Sequence, residues 1–150
     1  MKVNLEYESI DMDGETHTSK VLALMEIKKL YYRLVFVEDL SGEGSMTRSI
    51  MMLSKEAMRL IRKGEINTDF VFDTTLTHNT SYVTPFGNIP VTLTTETYDF
   101  SVSHPEFEEE NPMSKEIIPA DFSINAYASY YISIDGQAIP MSMKVKVTPA

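Results

Sequence analysis

The strongest constraint in this sequence is a period of two. From Phe122 onward, Ile124, Ala126, Ala128, Tyr130, Ile132 and Ile134 occupy every second position. After Asp135-Gly136, the apolar set Ile139, Met141, Met143, Val145 and Val147 alternates with Pro140, Ser142, Lys144 and Lys146. That period sends one set to each face of a β-strand, whereas a helix needs spacings of three and four. Asp-Gly between two such runs is a strong hairpin signal, because a tight turn there needs positive φ at its centre. A lone hairpin is marginal in water, so this one demands more strands to cover its apolar side.

The rest of the chain supplies them. Val3, Leu5 and Tyr7 alternate with Lys2, Asn4, Glu6 and Glu8, and Asp13-Gly14 forms a further turn signal. Thr18 to Ile27 sets Val21, Ala23, Met25 and Ile27 on one side. Leu30 to Val37 is dense in aromatic and β-branched residues, the pattern of a strand covered on both faces. Ser41 to Ser45, with Gly42 and Gly44, breaks the chain. Met46 to Leu53 then carries Met46, Arg48, Ile50 and Met52 on one face.

Further on, Ile66, Thr68, Phe70 and Phe72 share a face. Leu76 to Thr84 is a polar strand with His78, Thr80, Tyr82 and Thr84 in one row, and Pro85-Phe86-Gly87-Asn88 forms a tight turn. From Ile89 to Val102 the parity changes. Ile89, Val91 and Leu93 lie on the apolar side at first, then Tyr98, Phe100 and Val102 do. A β-bulge between about Thr94 and Thr97 is therefore expected, with the bend that barrels use to turn corners. His104 to Asp121 holds Pro105, Pro112, Pro119 and Glu108-Glu109-Glu110, and is expected to be an irregular acidic excursion.

Ser54 to Gly64 is ambiguous. Ser54 could cap a helix over Lys55 to Leu60 that Gly64 ends, and local propensity leans slightly that way. The rival is a turn at Ser54–Ala57 followed by a strand Met58–Lys63. Eight to ten strands with short turns and at most one short helix imply one all-β domain spanning residues 1–150. An up-and-down closed antiparallel barrel is favoured over a sandwich.

Composition narrows the function classes. The absence of Cys excludes disulfides, zinc fingers, iron–sulfur clusters and thiol chemistry. Lys and Arg number 13 against 22 Asp and Glu, a net charge of −9, which disfavours nucleic acid and anionic membranes as partners. No apolar run matches a leader core or a membrane span, so a soluble cytoplasmic protein is expected. His17, His78 and His104 lack ligand spacing, and Asp11-x-Asp13-Gly14 lacks the closing Glu of a calcium loop, so neither a metal nor another cofactor is expected. No nucleophile elbow, P-loop or dinucleotide fingerprint is present.

Leu60-Ile61-Arg62-Lys63-Gly64-Glu65, then Phe70-Val71-Phe72, then Tyr82-Val83-Thr84-Pro85-Phe86-Gly87 resemble the YwiB-like family. These are small bacterial proteins of unknown function, mostly from Gram-positive organisms. The resemblance covers Leu60 to Val102 and continues more loosely through Tyr127 to Val147. It implies a calycin-like, lipocalin-like barrel and implies that Met58–Lys63 is a strand, but it brings no activity. Val21 to Leu53 matches no family residues, and the acidic excursion is longer than the family norm.

Arg62 shares parity with Met58 and Leu60, which point inward. A buried Arg must meet an anion, either the carboxylate of a ligand or an internal partner such as Glu26 or Asp99. His78, Tyr82 and Thr84, with Thr80, form either a polar row inside an apolar barrel or a solvated outer face. Tyr31, Tyr127 and Tyr131 fall on the polar parity, as a dimer face or a doubly covered wall. The leading expectation is a monomeric or homodimeric module binding a small apolar or amphipathic ligand through Arg62, His78, Tyr82 and Thr84. The alternative is a filled barrel acting on a protein partner through its outer face or the acidic excursion. An enzyme using His78 and Tyr82 comes third, because no acid–base pair and no other catalytic residue can be named from spacing.

Overall fold

The computed structural model describes residues 1–10, 13–39, 44–105 and 118–150. Among these, ten strands and no helix are found: β1 (Lys2–Ile10), β2 (Thr16–Ile27), β3 (Tyr32–Glu38), β4 (Thr47–Leu53), β5 (Met58–Lys63), β6 (Thr68–Phe72), β7 (Thr77–Thr84), β8 (Gly87–Val102), β9 (Ile124–Ile134) and β10 (Gln137–Pro149). Among the described residues no helix is long and apolar enough to cross a membrane.

All ten lie in one sheet of order β6-β5-β4-β3-β2-β1-β10-β9-β8-β7. Every pair of consecutive strands except β6 and β7 is antiparallel and hydrogen-bonded, and β1 pairs with β10 from Val3↔Pro149 to Ile10↔Ser142. The chain therefore runs up and down around a barrel that closes on itself everywhere except between β6 and β7. There a single backbone bridge spans the gap: Asn67 N–H donates to Val83 C=O at 2.8 Å, and Val83 N–H donates back at 2.9 Å.

Parity sets the core. Val3 and Leu5, Met25, Tyr32 and Leu34, Met51 and Leu53, Met58 and Leu60, Phe72, Leu93, Ile124 and Val145 all point inward and are buried. On β4 the inward row is Thr47, Ser49, Met51 and Leu53, so Arg48, Ile50 and Met52 face outward. Between Thr95 and Thr97 the β8–β9 register shifts by one residue. This bulge lets Val91, Leu93 and Thr95 point inward before it, and Tyr98, Phe100 and Val102 line up with the core after it.

Ser54–Ala57 is a turn, closed by Ser54 N–H to Ala57 C=O at 3.0 Å, and Met58–Lys63 is a strand. Pairing of β5 with both β4 and β6 overrides the helical propensity of Lys55 to Leu60. The Tyr98 hydroxyl donates to the carbonyls of Ser54 (2.6 Å) and Ala57 (3.2 Å), tying this turn to the strand beyond the bulge. In the Asp135-Gly136 turn both residues have positive φ, 51° and 80°, as a two-residue hairpin of this twist requires. The part of the expected acidic excursion at residues 106–117, with its Glu108-Glu109-Glu110 run, lies outside the described residues.

Candidate functional site

The barrel has two unlike ends. At the end holding the β4–β5 turn the interior is aromatic and aliphatic: Tyr32 packs on Phe122 with ring centroids 6.1 Å apart, and Phe72 meets Tyr130 edge-on at 4.7 Å. Toward the other end, successive strands contribute polar side chains to the inward row. The pairs Glu38↔Thr47, Ser49↔Arg62 and Arg62↔Thr68 bring Glu38, Thr47, Ser49, Arg62 and Thr68 into one layer across β3 to β6.

Arg62 sits in this layer with its side chain 20% exposed. Its partner is Glu38, 2% exposed, at 3.5 Å from Nε to Oε2. This corrects the expectation of Glu26 or Asp99. Glu26 is exposed and held by Lys28 (2.8 Å) and Arg33 (2.9 Å), while Asp99 lies on the outer parity of β8. Ser49 donates to Glu38 Oε2 at 2.6 Å. Three polar atoms of this layer, Glu38 Oε1, Arg62 Nε and the Thr68 hydroxyl, are buried with no hydrogen-bond partner among the described residues. Buried polar groups are normally paired, by protein, water or ligand, so several orphans in one layer mark a place with room for another polar group.

The missing β6–β7 ladder gives access to it. A groove of about 360 Å³ opens along this seam beside the Asn67–Val83 bridge. Because no ladder closes the gap, residues of both parities line the groove. Arg62, Thr68 and Thr80 come from the inward rows, and Ile61, Lys63, Asp69, Ser81 and Val83 from the outward rows. The backbone exposed at the seam is partly satisfied by side chains: Thr80 Oγ1 donates to the Asp69 carbonyl at 3.0 Å, and a His78 ring nitrogen lies 3.1 Å from the same oxygen. The Asp69 carboxylate takes two hydrogen bonds from Arg59 (2.9 and 2.6 Å), which hold its pKa below the ordinary carboxylate value. The groove's cations are Arg62 and Lys63. Its mixture of two cations, several hydroxyls and the apolar walls Ile61 and Val83 suits a small molecule with an anionic head and an apolar body.

The expected site residues separate here. Arg62 lines the groove. Tyr82 is half-buried behind it, edge-on to Phe70 with centroids 5.4 Å apart; burial raises its pKa and the positive Arg62 partly offsets that. Burial also raises the pKa of Tyr130, with Tyr82 adding to the shift and Arg62 opposing it, which puts the two phenols and the guanidinium in one electrostatic neighbourhood. His78 belongs to the seam through its contact with Asp69. Thr84 belongs to the turn, donating to Gly87 C=O at 2.8 Å and accepting from Phe86 N–H at 3.2 Å. Lys63, Thr68 and Ser81 were not singled out as site residues from sequence. Thr68 could have been found as the cross-strand neighbour of Arg62, but Lys63 and Ser81 sit on outward parity and read as solvated until the seam is known.

Two other depressions, of about 210 and 480 Å³, lie on the wall of β1 and β8 to β10, the first beside Asp99, Tyr127 and Lys144, the second beside Ile10, Pro140 and Met141. Neither is lined by the orphaned polar groups.

Comparison with known proteins gives a consistent family and fold. A family model described as a domain of unknown function (DUF1934) matches residues 3–110. The crystal structure of the ywiB protein from Bacillus subtilis superposes with a TM-score of 0.66 at 14% identity, covering 99% of this chain and 90% of that one. At that identity the likeness is one of fold, a calycin-like barrel. Among curated proteins none matches.

Proposed function

We propose, for a chain that belongs to the family of the domain of unknown function DUF1934, that it is a small-molecule-binding barrel. Its ligand is an amphipathic carboxylate held at the β6–β7 seam. The observation that carries this reading is the groove itself: it brings Arg62 and Lys63 together with hydroxyl groups on a protein of net charge −9, beside buried polar atoms that have no hydrogen-bond partner among the described residues. Arg62, steadied by Glu38, presents a planar donor set; Lys63 supplies the net positive charge; Thr68, Thr80 and Ser81 offer hydroxyls to the head; Ile61 and Val83 take the chain. Tyr82 backs Arg62, while His78 keeps the seam open by satisfying its backbone. The chain's lack of Cys supports a cytoplasmic setting for this reading.

Calorimetric titration of the purified protein with octanoate, octanol and octylamine tests it. Octanoate is expected to bind at least about tenfold more tightly than either, a difference of about 1.4 kcal/mol. Lys63→Ala combined with Ser81→Ala should remove most of that preference. Equal affinity for the three amphiphiles, or no binding by any, would contradict the reading.

A further inference from the structure

The outer face of the barrel is not uniform. On β1 and on β8 to β10 the outward rows are mostly polar, with Lys2, Glu6, Thr92, Ser133 and Lys146 among them, and are interrupted by Ile10, Tyr127 and Tyr131. On β2 to β5 the registers Leu24↔Val35, Val35↔Ile50 and Ile50↔Ile61 align four apolar side chains in an unbroken row across the outside of the wall. Leu22, at 63% exposed, and Val37, at 49%, extend it toward the polar end of the barrel, while Met52 lies on its other side. An antiparallel sheet facing water ordinarily shows polar residues on its outer side. This wall has the two-sided pattern of a covered sheet, with one side open.

The two carboxylates that flank the row are already matched: Glu26 pairs with Lys28 and Arg33, and Asp69, opposite Ile61, pairs with Arg59. Arg48 and Lys63 stand directly opposite each other across β4 and β5, and neither makes an ion pair among the described residues. Like charges in that position disfavour pairing unless an anion lies over them. That a chain with 22 acidic residues against 13 basic ones places beside its apolar wall two cations with no ion pair among the described residues gives this face a sign opposite to the molecule's own.

We propose that the outward face of β2 to β5 docks an amphipathic segment of a partner protein. Its apolar side chains cover Leu24, Val35, Ile50 and Ile61, and its carboxylates meet Arg48 and Lys63. A nucleic acid would leave the apolar row uncovered, and a second copy packed face to face would set Arg48 and Lys63 against their own kind.

Anisotropy titration with two synthetic peptides tests this. They share one alternating Leu/Val face and carry either Glu or Lys on the rest. The net charge of −9 by itself attracts the Lys peptide, so a preference for the Glu peptide reports the local face. The Glu peptide is expected to bind at least tenfold more tightly. Arg48→Glu should abolish that preference, and Val35→Thr with Ile50→Thr should weaken binding at least tenfold. Val35→Thr with Ile50→Thr leaves Arg62, Lys63, Thr68 and Thr80 in place, so octanoate binding should persist in that variant, which separates this inference from the seam reading. Equal or tighter binding of the Lys peptide, or no response to the substitutions, would overturn the proposal. Dimerisation in sedimentation that Ile50→Thr abolishes would overturn it too, by assigning the face to a second copy.

Discussion

Arg62 and Glu38 illustrate how far a single side chain can be read from sequence. The inward parity of Arg62 with Met58 and Leu60 followed from alternation alone, and so did its need for an anion. Its partner did not, because the reading of β3 stopped at Val37, whereas Tyr32, Leu34, Phe36 and Glu38 form one inward row. A carboxylate on that parity was the available signal. With Glu38 almost fully buried, removing its counter-charge should cost far more than a surface pair would. Arg62→Met is therefore expected to lower stability by about 3 kcal/mol or more, since it leaves a buried carboxylate uncompensated. Arg62→Met combined with Glu38→Gln should recover most of that loss. Urea unfolding of the two variants and the parent measures both, and equal losses in the single and double variants would rule out the coupling.

At the level of strands, what was legible depended on whether neighbours or the segment itself set the conformation. The parity change between Leu93 and Tyr98 needed no tertiary information, because a strand with one buried face has to slip one residue to bury both sets, and the bulge falls within the expected interval. The segment Met58–Lys63 is the opposite case. Its helix formers are outvoted by two flanking strands, which local propensity cannot register. The seam between β6 and β7 was not legible for the same reason: the edge of a barrel is a property of closure, not of either strand. Deleting Glu96, the residue at the register shift, should turn Tyr98, Phe100 and Val102 away from the core and abolish cooperative unfolding, whereas Glu96→Ala should change stability by less than about 0.5 kcal/mol. Near-ultraviolet circular dichroism and thermal melts of the two variants distinguish these outcomes. Cooperative melting of the deletion variant would show that the bulge does not set the register.

At the scale of the whole molecule, the pH response is set by phenols that the barrel encloses. Burial raises the pKa of Tyr98 and Tyr130 well above the ordinary phenol value near 10. Above about pH 10 the unfolded chain releases these protons while the folded one keeps them, so the unfolded state binds fewer protons and stability falls as pH rises. Below that pH the two phenols are neutral in both states and contribute no pH dependence. The loss should reach about 1.4 kcal/mol per pH unit for each tyrosine, and Tyr130→Phe should flatten the slope measured by urea unfolding between pH 9 and 11. An unchanged slope in that variant would mean that Tyr130 ionises as freely folded as unfolded. The proposed function rests on the incomplete closure found among the described residues between β6 and β7, where a cationic, hydroxyl-lined groove meets a buried polar layer. Amide chemical-shift mapping during an octanoate titration tests that most directly: the account predicts that the largest shifts cluster at Arg62, Lys63, Asn67, Thr68, Thr80 and Ser81, and shifts confined to the wall of β8 to β10, or none at all, would contradict it.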